Sequence, residues 1–216
     1  KGYLIKQWNK NPKDIPSEIM MRQVVRLDYN DSYYYDPFQG IPNYQNLFNS
    51  LLKNILVDLK TDYLNDREYF DSKYDRIIYT GPIDEFYGYE FGPLEYRSLR
   101  FEEERLDIKD YQGVFMVSYP EDKYPFTRII EHKHFEFGQQ NFTIITREFS
   151  QDWEIGKAPY YPVNDYKNQV IYEKYANKIS FKNYSFGGRL GSYKYLNMDQ
   201  TIEKALELSK NIINEK

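Results

Sequence analysis

The sequence predicts an α+β fold, mainly an antiparallel β-sheet with flanking helices, and two observations predict it. Residues 94–101, 114–119, 126–130 and 142–149 are strand-like runs in direct succession, separated by polar turns. The first of them alternates Leu94, Tyr96, Ser98 and Arg100 against Glu95, Arg97, Leu99 and Phe101, which is the two-residue period of a pleated strand. Helical spacing, in contrast, is found to either side of that run. Strands grouped together with helices at the ends pack as one sheet with helices laid against it.

In chain order, residues 2–8 read as a short extended segment leading into a loop that carries Pro12 and Pro16. Ser17 can cap a brief turn, and residues 24–29 alternate like a strand. After an irregular stretch over 33–42, Leu47, Leu51 and Leu52 give residues 44–54 a helical spacing. Residues 55–59 and 76–80 read as strands flanking a polar connection, and Gly81-Pro82 stops the second. Beyond the four central strands, Val170, Ile171, Tyr175 and Ile179 place one apolar side on a helix over 167–179. Residues 181–186 are again strand-like. The final helix is the most clearly patterned: Met198, Ile202, Ala205, Leu206, Ser209 and Ile213 share one stripe, and Asn197 with Gln200 resembles a capping box.

A chain of 216 residues can build one sizeable core or two small ones. Its 29 basic and 33 acidic residues give a formal charge of −4, so nothing asks for nucleic acid as a partner. Aromatic residues make up 19% of the chain, with 24 Tyr, 14 Phe and 2 Trp. Tyrosine couples apolar area to a hydrogen-bonding tip and can line a sugar or nucleotide cleft, although sheet packing accounts for most of these rings. The absence of cysteine excludes disulfides and thiolate metal sites and suits a reducing cytoplasm. No apolar run is long enough to cross a bilayer, and the first residues do not read as a signal peptide.

Several strings in the sequence carry more than periodicity. Tyr79-Thr80-Gly81-Pro82-Ile83-Asp84-Glu85-Phe86 continues through Phe91-Gly92-Pro93-Leu94-Glu95-Tyr96-Arg97-Ser98-Leu99-Arg100-Phe101. Further blocks are Thr127-Arg128-Ile129-Ile130-Glu131-His132-Lys133-His134-Phe135, Tyr160-Tyr161-Pro162-Val163-Asn164-Asp165, and Gly187-Gly188-Arg189-Leu190-Gly191. In order and in content they resemble the UDP-galactopyranose mutase family, across nearly the whole chain. That resemblance implies an isomerase that contracts UDP-galactopyranose to UDP-galactofuranose through a flavin N5–sugar adduct, with reduced FAD as the working cofactor. It also implies a cytoplasmic enzyme, a homodimer in its full-length form, serving galactofuranose supply for cell-surface polysaccharide.

The resemblance implies site residues one by one. Arg22 and Arg128 are the expected diphosphate-binding, catalytic arginines; taken alone, each arginine reads first as a surface or ion-pair residue. Guanidinium forks suit phosphate oxygens, and tyrosines around them exclude water without adding negative charge. Tyr3, Trp8, Tyr33, Ser118, Tyr161 and Tyr195 complete the expected substrate site, with residues 14–25 as a closing lid. Packing is the plain alternative for the aromatic ones. Arg189 and the turn Leu196-Asn197-Met198-Asp199-Gln200-Thr201 are the expected flavin-contacting segment. A helix N-terminus there would favour negative charge on a reduced flavin, and an ordinary capped helix is the alternative. On an extended strand, His132 and His134 would share a face and H-x-H can ligate zinc, but the family uses no metal and none is expected.

Four departures stand out. Asn197 replaces the aspartate usual in the family's D-M-D turn, Ser118 replaces a common asparagine, and Asn43-Tyr44 follows Gln39-Gly40-Ile41-Pro42 where a glycine pair is often found. A strand with a G-x-G-x-x-G turn, which brings backbone against a dinucleotide pyrophosphate, is missing. The chain therefore reads as a C-terminal portion, inactive alone, that does not retain FAD. The expected division is a leading segment and candidate lid (1–40), part of an FAD-domain-like α/β region (41–92), the antiparallel substrate domain (93–180), and an FAD-contacting strand and helix (181–216). The alternative from another class is a non-catalytic nucleotide-sugar or glycan-binding domain.

Overall fold

The computed structural model describes residues 2–20, 43–178 and 183–215. Arg22, Tyr33, residues 21–25 of the candidate lid and the strand expected over 24–29 lie outside the described residues. The described chain opens with α1 (Gly2–Trp8), α2 (Ser17–Met20), α3 (Tyr44–Leu51) and α4 (Arg67–Lys73), then β1 (Ile77–Tyr79) and α5 (Ile83–Phe86). Four strands follow: β2 (Tyr96–Leu106), β3 (Met116–Ser118), β4 (Arg128–Glu131) and β5 (Thr143–Asp152). The two-residue β6 (Tyr161–Pro162), α6 (Tyr166–Asn177), β7 (Tyr184–Phe186), α7 (Gly188–Gly191) and α8 (Met198–Asn214) complete it. The predicted α+β class holds. Five strands form one sheet in the order β3-β4-β5-β2-β6 with every neighbouring pair antiparallel, while β1 and β7 form a separate parallel pair.

The four central strands arise where the alternation places them, and their register builds the site. Arg128 on β4 lies between Ser118 on β3 and Glu148 on β5, and Glu148 in turn faces Phe101 on β2. Residues directly opposite one another share a sheet face, so these four form a row across it. Arg97, four residues before Phe101, projects from that same face.

Three local expectations are overturned. Residues 2–8 are helical rather than extended, because tertiary partners satisfy what a seven-residue helix lacks by itself. The Gln7 carbonyl at its C-terminal end accepts from Arg97 Nε at 2.9 Å and Ser150 Oγ at 2.7 Å, and Lys6 Nζ donates to the carbonyls of Tyr119 at 2.7 Å and Phe126 at 3.0 Å. Residues 55–59 form no strand; they have β-type composition without a neighbouring strand to pair with, and positive φ at Asn54 and Lys60 brackets them. The third concerns His132 and His134, which stand on a turn of 3-10 helix (His132–Phe135), not on a strand, and reach different partners.

The core lies between the sheet and the C-terminal elements. Ile83, Leu94, Tyr96, Tyr175 and Tyr193 are buried together, joined by Trp153, Ile171, Tyr172, Phe186 and Leu190. The Gly81-Pro82-Ile83-Asp84 block is part of this core: Ile83 and Asp84 are fully buried, and Asp84 accepts from the Leu94 amide at 2.8 Å and the Tyr96 hydroxyl at 3.3 Å. Burial raises the Asp84 carboxyl above its ordinary range, and those hydrogen bonds offset part of the rise. Gly191 lets α7 approach β1 closely, since a Cβ there would sit 2.9 Å from the Tyr79 carbonyl oxygen.

The stripe on α8 exists as predicted but meets little. Met198, Ile202, Leu206 and Ile213 are 58–66% exposed, and Phe48, Leu51, Leu56 and Leu59 on and after α3 are 53–86% exposed.

Candidate functional site

A polar site centres on Arg128, on the sheet face that α1 covers. Its Nε donates to Glu148 Oε2 at 2.8 Å and its Nη2 to the same oxygen at 2.5 Å. Glu148 is 1% exposed, and its other oxygen accepts from Thr127 Oγ1 at 3.0 Å. The guanidinium is thus fixed from one side by a buried carboxylate. Among the described residues its remaining nitrogen, Nη1, meets only the thioether of Met116, at 3.4 Å, and a thioether is a weak acceptor that an anion outcompetes. Burial pulls the Arg128 pKa down, but the Glu148 hydrogen bonds and charge outweigh that and leave it raised. The group is a permanent cation.

Phenols surround it. Tyr3 and Tyr161 both sense the charges of Arg128 and Glu148. Burial raises the Tyr3 phenol above its ordinary value, and burial, with Tyr195 and Glu148 adding to it, pushes the Tyr161 phenol up to about 12. Both remain protonated donors through the neutral range. Tyr195 stands with its ring centre 5.0 Å from that of Tyr161, and Trp8 closes the group at 6.2 Å from Tyr161 and 6.0 Å from Tyr195. Trp8 is 4% exposed and packs with Ile15 and Ile19, so it forms the floor of this aromatic cluster. Ser118, exposed, is the cross-strand neighbour of Arg128.

Arg189 links this wall to the C-terminal turn. Its Nη1 donates to the Tyr160 carbonyl at 3.0 Å and its Nη2 to that of Leu196 at 2.6 Å, while the guanidinium lies 4.7 Å from the ring centre of Tyr195. The capping box forms, with the Asn197 amide donating to Gln200 Oε1 at 2.9 Å. Leu196, Asn197 and Gln200 line a cavity of about 610 Å³ together with Tyr195, Lys194, Asn164, Gln169 and the leading residues Pro16, Ser17 and Ile19. Met198 and Asp199 are exposed in the first turn of α8, and Thr201 Oγ1 donates to the Asn197 carbonyl at 2.8 Å. The structure therefore brings together Tyr3, Trp8, Ser118, Arg128, Tyr161, Arg189 and Tyr195, with residues 196–201 alongside. Glu148 is the residue that sequence reading missed. It lies within the strand-like run 142–149, and only the β4–β5 register reveals that it faces Arg128.

The order of the blocks agrees with what known proteins show. The family model described as UDP-galactopyranose mutase matches residues 1–195. The chain belongs to the UDP-galactopyranose mutase family. It is 39% identical to the dTDP-fucopyranose mutase of Escherichia coli, over 97% of this chain and 58% of that protein. It is 36% identical to a probable UDP-galactopyranose mutase of Klebsiella pneumoniae, over 99% of this chain and 56% of that one. A crystal structure of reduced UDP-galactopyranose mutase has a TM-score of 0.54 at 17% identity, covering 66% of this chain and 42% of that chain, a likeness of fold. The chain thus spans a little over half the length of these curated relatives.

Members of this mutase family are flavin-dependent isomerases. The residues present fit one side of such a cofactor: the α8 N-terminus brings a partial positive end beside the 196–201 turn, with its capping box already holding the Asn197 amide. The glycine cluster does not fit a pyrophosphate cradle, because Gly191 is used for the close approach to the Tyr79 carbonyl. Among the described residues, no helix is long and apolar enough to cross a membrane.

Proposed function

We propose that this chain is the substrate-gripping part of a flavin-dependent mutase that interconverts the pyranose and furanose forms of a nucleoside-diphosphate sugar, with UDP-galactopyranose as the substrate. The observation that carries the reading is Arg128: a permanent cation fixed by buried Glu148, with Nη1 against only a thioether, among phenols that stay protonated. Such a site binds a diphosphate and, more strongly, the charge that develops on it as the anomeric C–O bond breaks. A reduced flavin, when bound, supplies the nucleophile for the anomeric carbon. Glu148 holds the guanidinium in place, Arg128 takes up the charge of the departing diphosphate, and Tyr3, Tyr161 and Tyr195 are placed to donate to its oxygens. Ser118 is the neighbour of Arg128 on β3, and Arg22 is the second diphosphate arginine, on the lid. Arg189 and residues 196–201 face the flavin. In this reading the full-length protein is a cytoplasmic homodimer.

The E. coli relative supports a second substrate, dTDP-fucopyranose, of the same class. The test is ring contraction by the full-length protein with reduced FAD, offered each nucleotide sugar in turn. Furanose product from UDP-galactopyranose, falling a hundredfold or more in Arg128→Lys, supports the reading; product from dTDP-fucopyranose alone would move the substrate. Nucleotide-sugar binding with no turnover would make it a binding domain. Chain 1–216 by itself, with no glycine turn for the pyrophosphate, is expected to be colourless when purified with added FAD; stoichiometric flavin binding would show that it builds a complete site.

A further inference from the structure

The turn after β4 gathers three metal-ligating atoms on the face of the sheet opposite Arg128. Glu131 ends β4 and is fully buried. Strand alternation from Arg128 puts its side chain on the other face. Its Oε1 accepts from the Tyr111 amide at 3.0 Å and Thr143 Oγ1 at 2.7 Å, while Oε2 accepts only the Gln112 amide, at 2.8 Å. One lone pair of Oε2 is left.

The 3-10 turn returns His134 over that oxygen, with Nε2 3.4 Å from Glu131 Oε2 and 3.3 Å from Asp110 Oδ2. Nε2 is shut off from solvent and makes no hydrogen bond. Asp110 Oδ1 is held by the Gly113 amide at 2.6 Å. All three ligand atoms lie within 4.8 Å of one another.

These separations discriminate between two uses of the histidine. A charge-assisted hydrogen bond would close to about 2.7–2.9 Å. Nitrogen and oxygen ligands about 2.0–2.1 Å from a tetrahedral zinc ion stand about 3.3–3.4 Å apart. The second spacing is the one observed on both sides of His134. Two carboxylates and an imidazole also suit the charge of a divalent cation. Lys133, buried in the same turn, donates to the carbonyls of Lys109 at 2.6 Å and Gln140 at 2.7 Å, so the backbone next to Asp110 is tied to the turn without any ion.

We propose that Asp110, Glu131 and His134 form a three-ligand site for a zinc-class divalent cation, its fourth position open to water or to a ligand from another molecule. Imidazole among only three protein donors suits zinc rather than calcium or magnesium, which prefer six or more oxygens. The ion would pin the loop around Asp110 to the β4–β5 edge. His132 takes no part: its Nε2 is 2.7 Å from Thr146 Oγ1.

The proposal stands apart from the mutase reading, and its test is direct binding of zinc chloride to untagged, chelator-stripped protein by calorimetry, with thermal melting alongside. One equivalent at micromolar affinity or tighter and a melting point raised by zinc and restored by chelator are expected. His134→Gln and Asp110→Asn, each checked for native far-UV dichroism, should weaken binding at least tenfold, and His132→Gln should not. No saturable binding, or binding equally tight in both ligand variants, would overturn it. Because Asp110 and His134 are not fully buried, at least one of the two variants should fold.

Discussion

Arg97 on β2 and Arg128 on β4 project from the same face of the five-stranded sheet, and each meets an acid on β5, Asp152 and Glu148 respectively. Arg97 is 4% exposed and spends every nitrogen on the protein: Nε on the Gln7 carbonyl, Nη1 on Asp152 and Nη2 on Ser150 Oγ. Its acid lies largely in water, at 70% exposure. Arg128 has the reverse arrangement, a buried acid and a guanidinium with one nitrogen against sulfur. The difference separates an arginine saturated by the fold from the one proposed above to take a ligand. Where the acid is buried and the cation is not saturated, the protein has spent stability on holding a charge in place.

The largest effect should come from the buried acid. Glu148→Ala strips Arg128 of its partner and leaves Thr127 Oγ1 with one acceptor fewer, and removing one member of a buried pair costs about 3–5 kcal/mol. Urea unfolding of the chain measures it, and a loss below about 1 kcal/mol would show that water already screens the pair.

Crossing the two arginines sharpens the contrast. Arg128→Lys keeps a cation beside Glu148 but loses the fork, so turnover of the full-length protein should fall by about 2–4 kcal/mol of transition-state stabilisation with melting nearly unchanged. Arg97→Ala should do the opposite. Losing its bonds to the end of α1 should cost about 2 kcal/mol of stability, read as a melting point lower by about 4–8 °C, while turnover per folded molecule stays near wild type. Equal losses of turnover from both would erase the distinction.

Alkali distinguishes the phenolic wall next. Burial raises the Tyr161 phenol to about 12, against about 10 in an unfolded chain. A pKa raised by folding contributes stability that is complete below about pH 10 and is lost as pH rises through about 12. Stability should therefore fall over that window, and fall less steeply in Tyr161→Phe, which has no proton to lose. Dichroism-monitored unfolding at stepped pH checks it; identical slopes would place the Tyr161 phenol in water.

How much of this was legible depended on whether the partner of each residue lies nearby in sequence. The strands around Tyr96, Val117, Ile129 and Ile145 were readable because alternation is local. So was the cap at Asn197, whose partner is three residues away. Helix α1 was not, since its Gln7 carbonyl is satisfied by Arg97 and Ser150, 90 and 143 residues on. Residues 55–59 failed for the converse reason: a strand needs a neighbour, and composition cannot supply one. Arg128, Tyr161, Tyr195 and Arg189 were named from the resemblance, and the structure sets them side by side. Glu148 needed the register, and the separation of His132 from His134 needed the 3-10 turn that carries them.

The smallest effect concerns Asn197, where the family usually has aspartate. Asn and Asp cap helices about equally, and the backbone half of the box, the Asn197 amide to Gln200 Oε1, does not depend on the side chain at 197. Asn197→Asp should therefore leave unfolding within about 0.5 kcal/mol of the parent, with any gain coming from a negative charge at the positive end of α8. Function is the more sensitive readout. A carboxylate here would stand next to Leu196, whose carbonyl holds Arg189, in the turn proposed to face the flavin. If charge matters in that turn, the full-length variant should shift in substrate affinity or turnover while its melting point holds. Identical kinetics across pH would mean that position 197 is a cap and nothing more.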